Sequence, residues 1–168
     1  MIRFRSPYVV FRVFGRPISV GGTSRFTNEK KSPFRKTDKE YALAKKNGEI
    51  QLTNLVRLYA KIAAAEQGWE FTDQSVYVVV TIYTKLPRRF QGEEREAIIR
   101  DNVSVSTPIV HNSLRKYIKM LKGVLFKSEI QVACGLVIKK FTDNEEFVDI
   151  LVGRPKNFED MIYDIRNN

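Results

Sequence analysis

Residues 106–132, STPIVHNSLRKYIKMLKGVLFKSEIQV, combine a bounded amphipathic helix with His111, the only histidine of the chain. Pro108 followed by Asn112 and Ser113 marks a helix start, because an Asn or Ser side chain accepts hydrogen bonds from the unpaired amides of a first turn. Gly123 marks the stop. Between them Leu114, Tyr117, Ile118 and Leu121 recur at i, i+3, i+4 and i+7, which lines one side of a helix and calls for burial. Arg115, Lys119 and Lys122 fall on the other side. Such a helix sits on a core and turns cations outward, an arrangement that suits bulk solvent as well as phosphate.

Outward from this segment the chain alternates strand and helix signals. Residues 8–14, YVVFRVF, are β-branched and aromatic and end at Gly15-Arg16-Pro17, so they predict a strand, with a second short one at 18–20. Residues 21–48 are rich in glycine and cations and carry Phe26, Phe34 and Tyr41, which predicts a basic loop running into a helix. Cations neutralise phosphates and rings stack on exposed bases, although a solvated loop has the same composition. Residues 51–67 carry Leu55, Leu58, Tyr59 and Ile62 at helical spacing and stop at Gly68, so a core-packed helix is expected there.

Residues 75–83, SVYVVVTIY, are apolar on both faces, as in a central strand covered on both sides, and Leu86-Pro87 closes it. A short charged helix is expected over 93–100, leading into a strand-like VSVS segment. Residues 131–141 and 147–152 read as a hairpin joined by Thr142 to Glu145. The tail repeats Phe158, Met161, Ile162 and Ile165 at helical spacing, predicting an acidic amphipathic helix over about 157–166. Together these elements predict one α+β domain spanning 1–168, a small mixed sheet packed with helices.

With 168 residues, 43% of them apolar, the chain suffices for one compact core. Its 29 Lys and Arg against 19 Asp and Glu give a formal charge of +10, which points to a polyanionic partner, nucleic acid first. No stretch approaches the roughly 18 consecutive apolar residues of a membrane span, and the Met-Ile-Arg-Phe-Arg start lacks a signal-peptide core, so a soluble cytoplasmic protein without a membrane partner is expected. Cys134, the single cysteine, fits a core thiol and has no partner for an internal disulfide.

Motifs for catalysis are sparse. A metal-dependent nuclease needs several carboxylates converging on one or two ions. Here Glu129 follows the central helix, while Asp101, Asp143, Glu145, Glu146 and Asp149 lie elsewhere. No phosphate-cradling glycine loop, paired-histidine zinc spacing or nucleophile elbow occurs.

The order of features nevertheless resembles RusA-type Holliday-junction resolvases. These features are a strand, Gly15-Arg16-Pro17, a basic stretch with Arg25-Phe26, a long helix, an apolar strand ending in Leu86-Pro87, then P-x-x-x-N before a basic helix. The likeness covers most of the chain and is closest over 107–140. There the family has P-D-x-D-N, a lysine-bearing helix, G-V-L, and an acidic D-D-x-Q-I run leading into a strand ending in lysine. This chain has Pro108-Ile109-Val110-His111-Asn112, Gly123-Val124-Leu125, Ser128-Glu129-Ile130-Gln131-Val132, and finally Lys139-Lys140.

The resemblance implies a homodimer that binds branched DNA, of a kind common in bacteriophages and prophages. The family's three metal-binding aspartates fall on Ile109, His111 and Glu129, and Ser128 replaces a further acidic neighbour. Its helical lysine falls on Arg115, with Lys116 adjacent. Isoleucine has no donor atom and histidine is not a hard anionic oxygen, so Mg²⁺ affinity should drop. The expectation is therefore a RusA-like protein that binds Holliday junctions or duplex DNA, with endonuclease activity lost and no cofactor.

The expected phosphate contacts are Arg25, Lys30, Lys31, Arg35, Lys36, Arg88, Arg89, Arg115, Lys116, Lys119 and Lys122. One rival is an active Mg²⁺ or Mn²⁺ nuclease with a rebuilt site, in which Glu129, Arg115 and Lys116 keep catalytic roles. In it His111 and Glu129 hold the metal, joined by Asp149 or Asp101. Another is a RusA-fold module that binds or inhibits a protein partner.

Overall fold

The computed structural model describes residues 7–15, 38–88, 90–100 and 110–155, with the backbone alone for 38–47 and 110–112. Four strands, β1 (Tyr8–Phe14), β2 (Val76–Lys85), β3 (Val132–Thr142) and β4 (Phe147–Gly153), form one sheet in the order β1-β4-β2-β3. Among the described residues the helices are α1 (Asp38–Gln67), α2 (Gly92–Arg100) and α3 (Val110–Leu121), and a 3-10 turn (Glu129–Gln131) precedes β3. The small mixed sheet packed with helices is the α+β architecture expected.

β2 explains the strand order. Val76, Val78, Val80 and Ile82 on one face have no exposure, and Tyr77 and Val79 on the other are buried too. A strand apolar on both sides is stable only in the interior of a sheet. It pairs antiparallel with β4 and parallel with β3. Cross-strand rows follow from the register, such as Phe11, Ile150, Val80 and Val137 on the face that α1 and α3 cover. The parallel β2–β3 pair needs a long crossover, which α2 and α3 supply.

The expected hairpin of 131–141 with 147–152 does not form. β3 and β4 occupy their predicted residues but lie on opposite sides of β2. Strand spacing of about 4.8 Å means the link must cover roughly 10 Å, within reach of the four residues 143–146 at about 3.3 Å each. The link passes the C-terminal end of β2 and is tied there. The Leu86 amide donates to the Thr142 carbonyl at 3.1 Å, and the Lys85 amide donates to Glu146 Oε1 at 3.2 Å.

α1 departs from expectation twice. It starts at Asp38, so the last eleven residues assigned to the basic loop of 21–48 are helical. Its buried side is also not the predicted one. Val56, Ala60 and Ala63 face the core, whereas Leu58 is 54% exposed, Ile62 44% and Tyr59 37%. Small side chains let the helix lie close to β1, and bulkier residues turned toward the sheet would hold it away. Gln67, on the buried side, fixes the contact: its Nε2 donates to the Val10 carbonyl at 2.6 Å and its Oε1 accepts from the Val10 amide at 2.9 Å. The side-chain amide thus occupies part of the free edge of β1, the kind of cover exposed edge strands need.

The strand expected at 18–20, the loop over 21–37, the VSVS segment and the tail helix over 157–166 lie outside the described residues. Cys134 is half-buried beside Tyr77 rather than in the main core.

Two glycines of the sheet should respond differently to a methyl group. At Gly153 an added Cβ would collide with the ring of Tyr77, which is 1% exposed and fixed between strands. At Gly135 it would meet only the tip of the half-buried Leu114, which has other rotamers. Gly153→Ala is expected to cost about 1–3 kcal/mol and Gly135→Ala under about 1 kcal/mol, read as shifts in urea midpoint at constant m.

Candidate nucleic-acid interface

α3 is seated by the side predicted from its periodicity. Tyr117 and Leu121 are 2% and 0% exposed, and Leu114 and Ile118 pack on the same cluster. Gly135 has no side chain beneath Leu114, so helix and strand approach closely. The helix end is closed by α1, where Arg57 Nη1 donates to the carbonyls of Met120 at 3.4 Å and Lys122 at 3.3 Å. A guanidinium there satisfies carbonyls that lack partners within the helix and complements its negative end. Gly123 follows at φ 75°, the left-handed geometry expected of the stop.

This seating turns Arg115, Lys119 and Lys122 outward, with Lys116 at the α1 side. Lys116 Nζ is 2.8 Å from Glu49 Oε1 across the α1–α3 groove. That groove, lined by Glu49, Thr53, Lys116, Lys119 and Met120, encloses about 210 Å³. Lys122 Nζ is 3.7 Å from Glu129. Among the described residues Arg115 and Lys119, one helical turn apart and both exposed, have no ion-pair partner. No described acidic residue neutralises their charge.

Glu129, the one carboxylate among the metal positions that the resemblance implies, opens the 3-10 turn and sits beside the Lys122 ammonium. Ile109 lies outside the described residues, and only the backbone of His111 is described, in the first turn of α3. The donor set of an isoleucine, a histidine and one carboxylate adjoining a lysine does not fit a hard divalent cation. Asp149 cannot join Glu129. It lies on the sheet face opposite α3, bound by Arg12 Nε at 2.7 Å and Arg12 Nη2 at 2.8 Å. Among the described residues no three His, Cys, Asp or Glu side chains converge. Asp101 lies outside them.

Of the other expected contacts, Arg88 is exposed just past β2. Arg25, Lys30, Lys31, Arg35, Lys36 and Arg89 lie outside the described residues. Sequence patterning did not single out Glu49 or Arg57 as partners of α3, because the pairing of α1 with α3 spans more than sixty residues. It also did not single out Lys139, on the same face of the sheet as α3, whose pKa burial lowers.

The opposite face carries a second cationic and aromatic group. Arg12 lies 3.9 Å over the Phe147 ring, which stacks at 4.1 Å on Tyr83, and Lys140 stands 6.0 Å from Tyr83. The hydrogen bond to Asp149 raises the Arg12 pKa. These ring faces are already occupied by neighbours, so the stack is a brace for the sheet end rather than an open platform for bases.

No protein-family model matches the chain, and no curated protein is significantly similar to it. Among the described residues no helix is long and apolar enough to cross a membrane.

Tyr117 gives a test of how α3 is seated. Its hydroxyl is buried without a hydrogen-bond partner among the described residues, and burial holds its pKa well above the ordinary value of 10.0. A folded pKa raised this way favours the native state below pH 10, and that contribution is lost as the pH rises further. Tyr117→Phe should therefore be at least as stable as the wild type at pH 7 and lose less stability between pH 9.5 and 11, by urea denaturation. Tyr83, whose pKa burial also raises, accounts for a residual slope.

Proposed function

We infer that the protein is a RusA-like DNA-binding protein that grips branched or duplex DNA through phosphate contacts and has lost metal-dependent endonuclease activity. The observation that carries this reading is the electrostatic state of α3. Arg115, Lys116 and Lys119 lie along it and Lys122 directly follows it; Arg115 and Lys119 have no acidic partner among the described residues, while Glu49 and Glu129 are engaged with Lys116 and Lys122. Neutralising phosphates releases condensed counterions, which favours association and needs no metal. The sequence frame of the family supports DNA as the polyanion and a Holliday junction as the preferred form. It also supports a place in phage or prophage recombination and repair, a cytoplasmic setting, and a protein working as a homodimer.

Charge reversal on the helix tests the reading. Arg115→Glu with Lys119→Glu should lower affinity for a four-way junction by at least tenfold at about 0.1 M salt and flatten the slope of log K against log salt by about 2. Glu49→Gln should act in the opposite direction, because it frees Lys116 for phosphate. Unchanged affinity in the reversed variant would contradict phosphate binding by α3. In a parallel junction assay with Mg²⁺ or Mn²⁺ the wild type should leave the DNA intact, whereas cleavage by it would contradict the loss of catalysis.

A further inference from the structure

The groove between α1 and α3 offers a ligand more than positive charge. Glu49 and Thr53 come from successive turns of α1, and Lys116, Lys119 and Met120 from one side of α3. Met120, 6% exposed, supplies an apolar floor. The Lys116 ammonium and the Glu49 carboxylate meet at 2.8 Å with their side chains only 28% and 39% exposed. Thr53 adds little polarity, because its hydroxyl donates to the Glu49 carbonyl at 2.8 Å. Lys119 is exposed at the rim.

We propose that this groove takes the base of an unpaired guanine from the DNA that α3 holds. The inference rests on the DNA-binding reading and adds a base-reading subsite to it. Side by side, an ammonium and a carboxylate present a donor followed by two acceptors. The Watson–Crick edge of guanine is the complement, with the O6 acceptor followed by the N1 and N2 donors. Cytosine carries the reverse order, adenine has a single donor beside an acceptor, and the second carbonyl of thymine would face the carboxylate. A carboxylate accepting two parallel N–H bonds is a strong, charge-assisted contact. The ion pair does not exhaust either group, since a carboxylate has about four lone-pair sites and an ammonium has three donors.

Size decides how the base arrives. The volume of about 210 Å³ is below the roughly 300 Å³ at which drug-sized pockets begin, so a ring system enters but a whole nucleotide does not. Sugar and phosphate stay outside, where Lys119 and Arg115 stand one turn apart on α3. A base held by its Watson–Crick edge has left its pairing partner, so the groove reads single strands, bulges or branch points rather than intact duplex.

The test is fluorescence anisotropy with a labelled duplex carrying one unpaired nucleotide whose base is guanine, adenine, cytosine, thymine or hypoxanthine. The guanine bulge should bind at least about tenfold more tightly than adenine, cytosine or thymine, with hypoxanthine, which lacks the N2 donor, in between. Glu49→Gln should raise affinity for all five and bring them within about twofold, because an amide does not repel phosphate and offers one acceptor oxygen in place of two. Thr53→Met, which narrows the groove at unchanged net charge, should also remove the preference. Equal affinity of the wild type for all five duplexes would overturn the proposal and leave phosphate binding by α3 standing, whereas no binding to any of them would overturn both. A guanine preference that survives Glu49→Gln would overturn it too. So would displacement of the guanine-bulge duplex by micromolar guanosine monophosphate, which would assign the groove to a free nucleotide.

Discussion

The burial of β2 on both faces is the constraint from which the rest of the structure follows. A strand whose alternate residues Val76, Val78, Val80 and Ile82 are all buried, with Tyr77 and Val79 buried behind them, must have hydrogen-bonded neighbours on both sides and cover on both faces. That requirement places β3 and β4 on either side of it. It also forces the connection from β2 to β3 to be a crossover, since parallel neighbours cannot be joined by a tight turn. The crossover carries α3, laid against β3 over Gly135. The helix that presents the cations thus owes its position to a strand that carries none on its buried faces.

Much of this was legible from local patterning. β1 and α3 could be located because their burial follows a period of two or of about 3.6 that the residues themselves display, and β2 because its run is apolar on both faces. Pairing was not legible. The residues of β3 and β4 read as neighbours because they are close in sequence, and only the demand of β2 for two partners separates them. The buried side of α1 departs from its apolar periodicity for a related reason. Leu58, Tyr59 and Ile62 form the more conspicuous apolar stripe, yet the sheet accepts the slimmer side made by Val56, Ala60 and Ala63, where a close approach gains more contact than large side chains would. Periodicity identifies the faces a helix possesses but not which one its neighbour can accommodate.

The site shows the same division. Spacing alone revealed that Arg115, Lys119 and Lys122 share a side of α3. Which of the cations on and beside α3 are paired depends on Glu49, which meets Lys116 by packing of the distant α1, and on Glu129, which meets Lys122 just past the helix. The exclusion of Asp149 from any cluster with Glu129 likewise follows from strand pairing, since it faces Arg12 across the sheet. Electrostatic function in this fold rests less on how many cations the helix carries than on which of them the scaffold leaves uncompensated.

Lysine footprinting is the most direct measurement of whether those charges meet DNA. Acylation of the protein, free and bound to a four-way junction, would be read residue by residue by mass spectrometry. Phosphate contact through α3 predicts that Lys116, Lys119 and Lys122 become protected in the complex while Lys61 on α1 and Lys85 at the end of β2 react as before. Equal reactivity of the α3 lysines in the two states, or protection confined to Lys61 and Lys85, would contradict it.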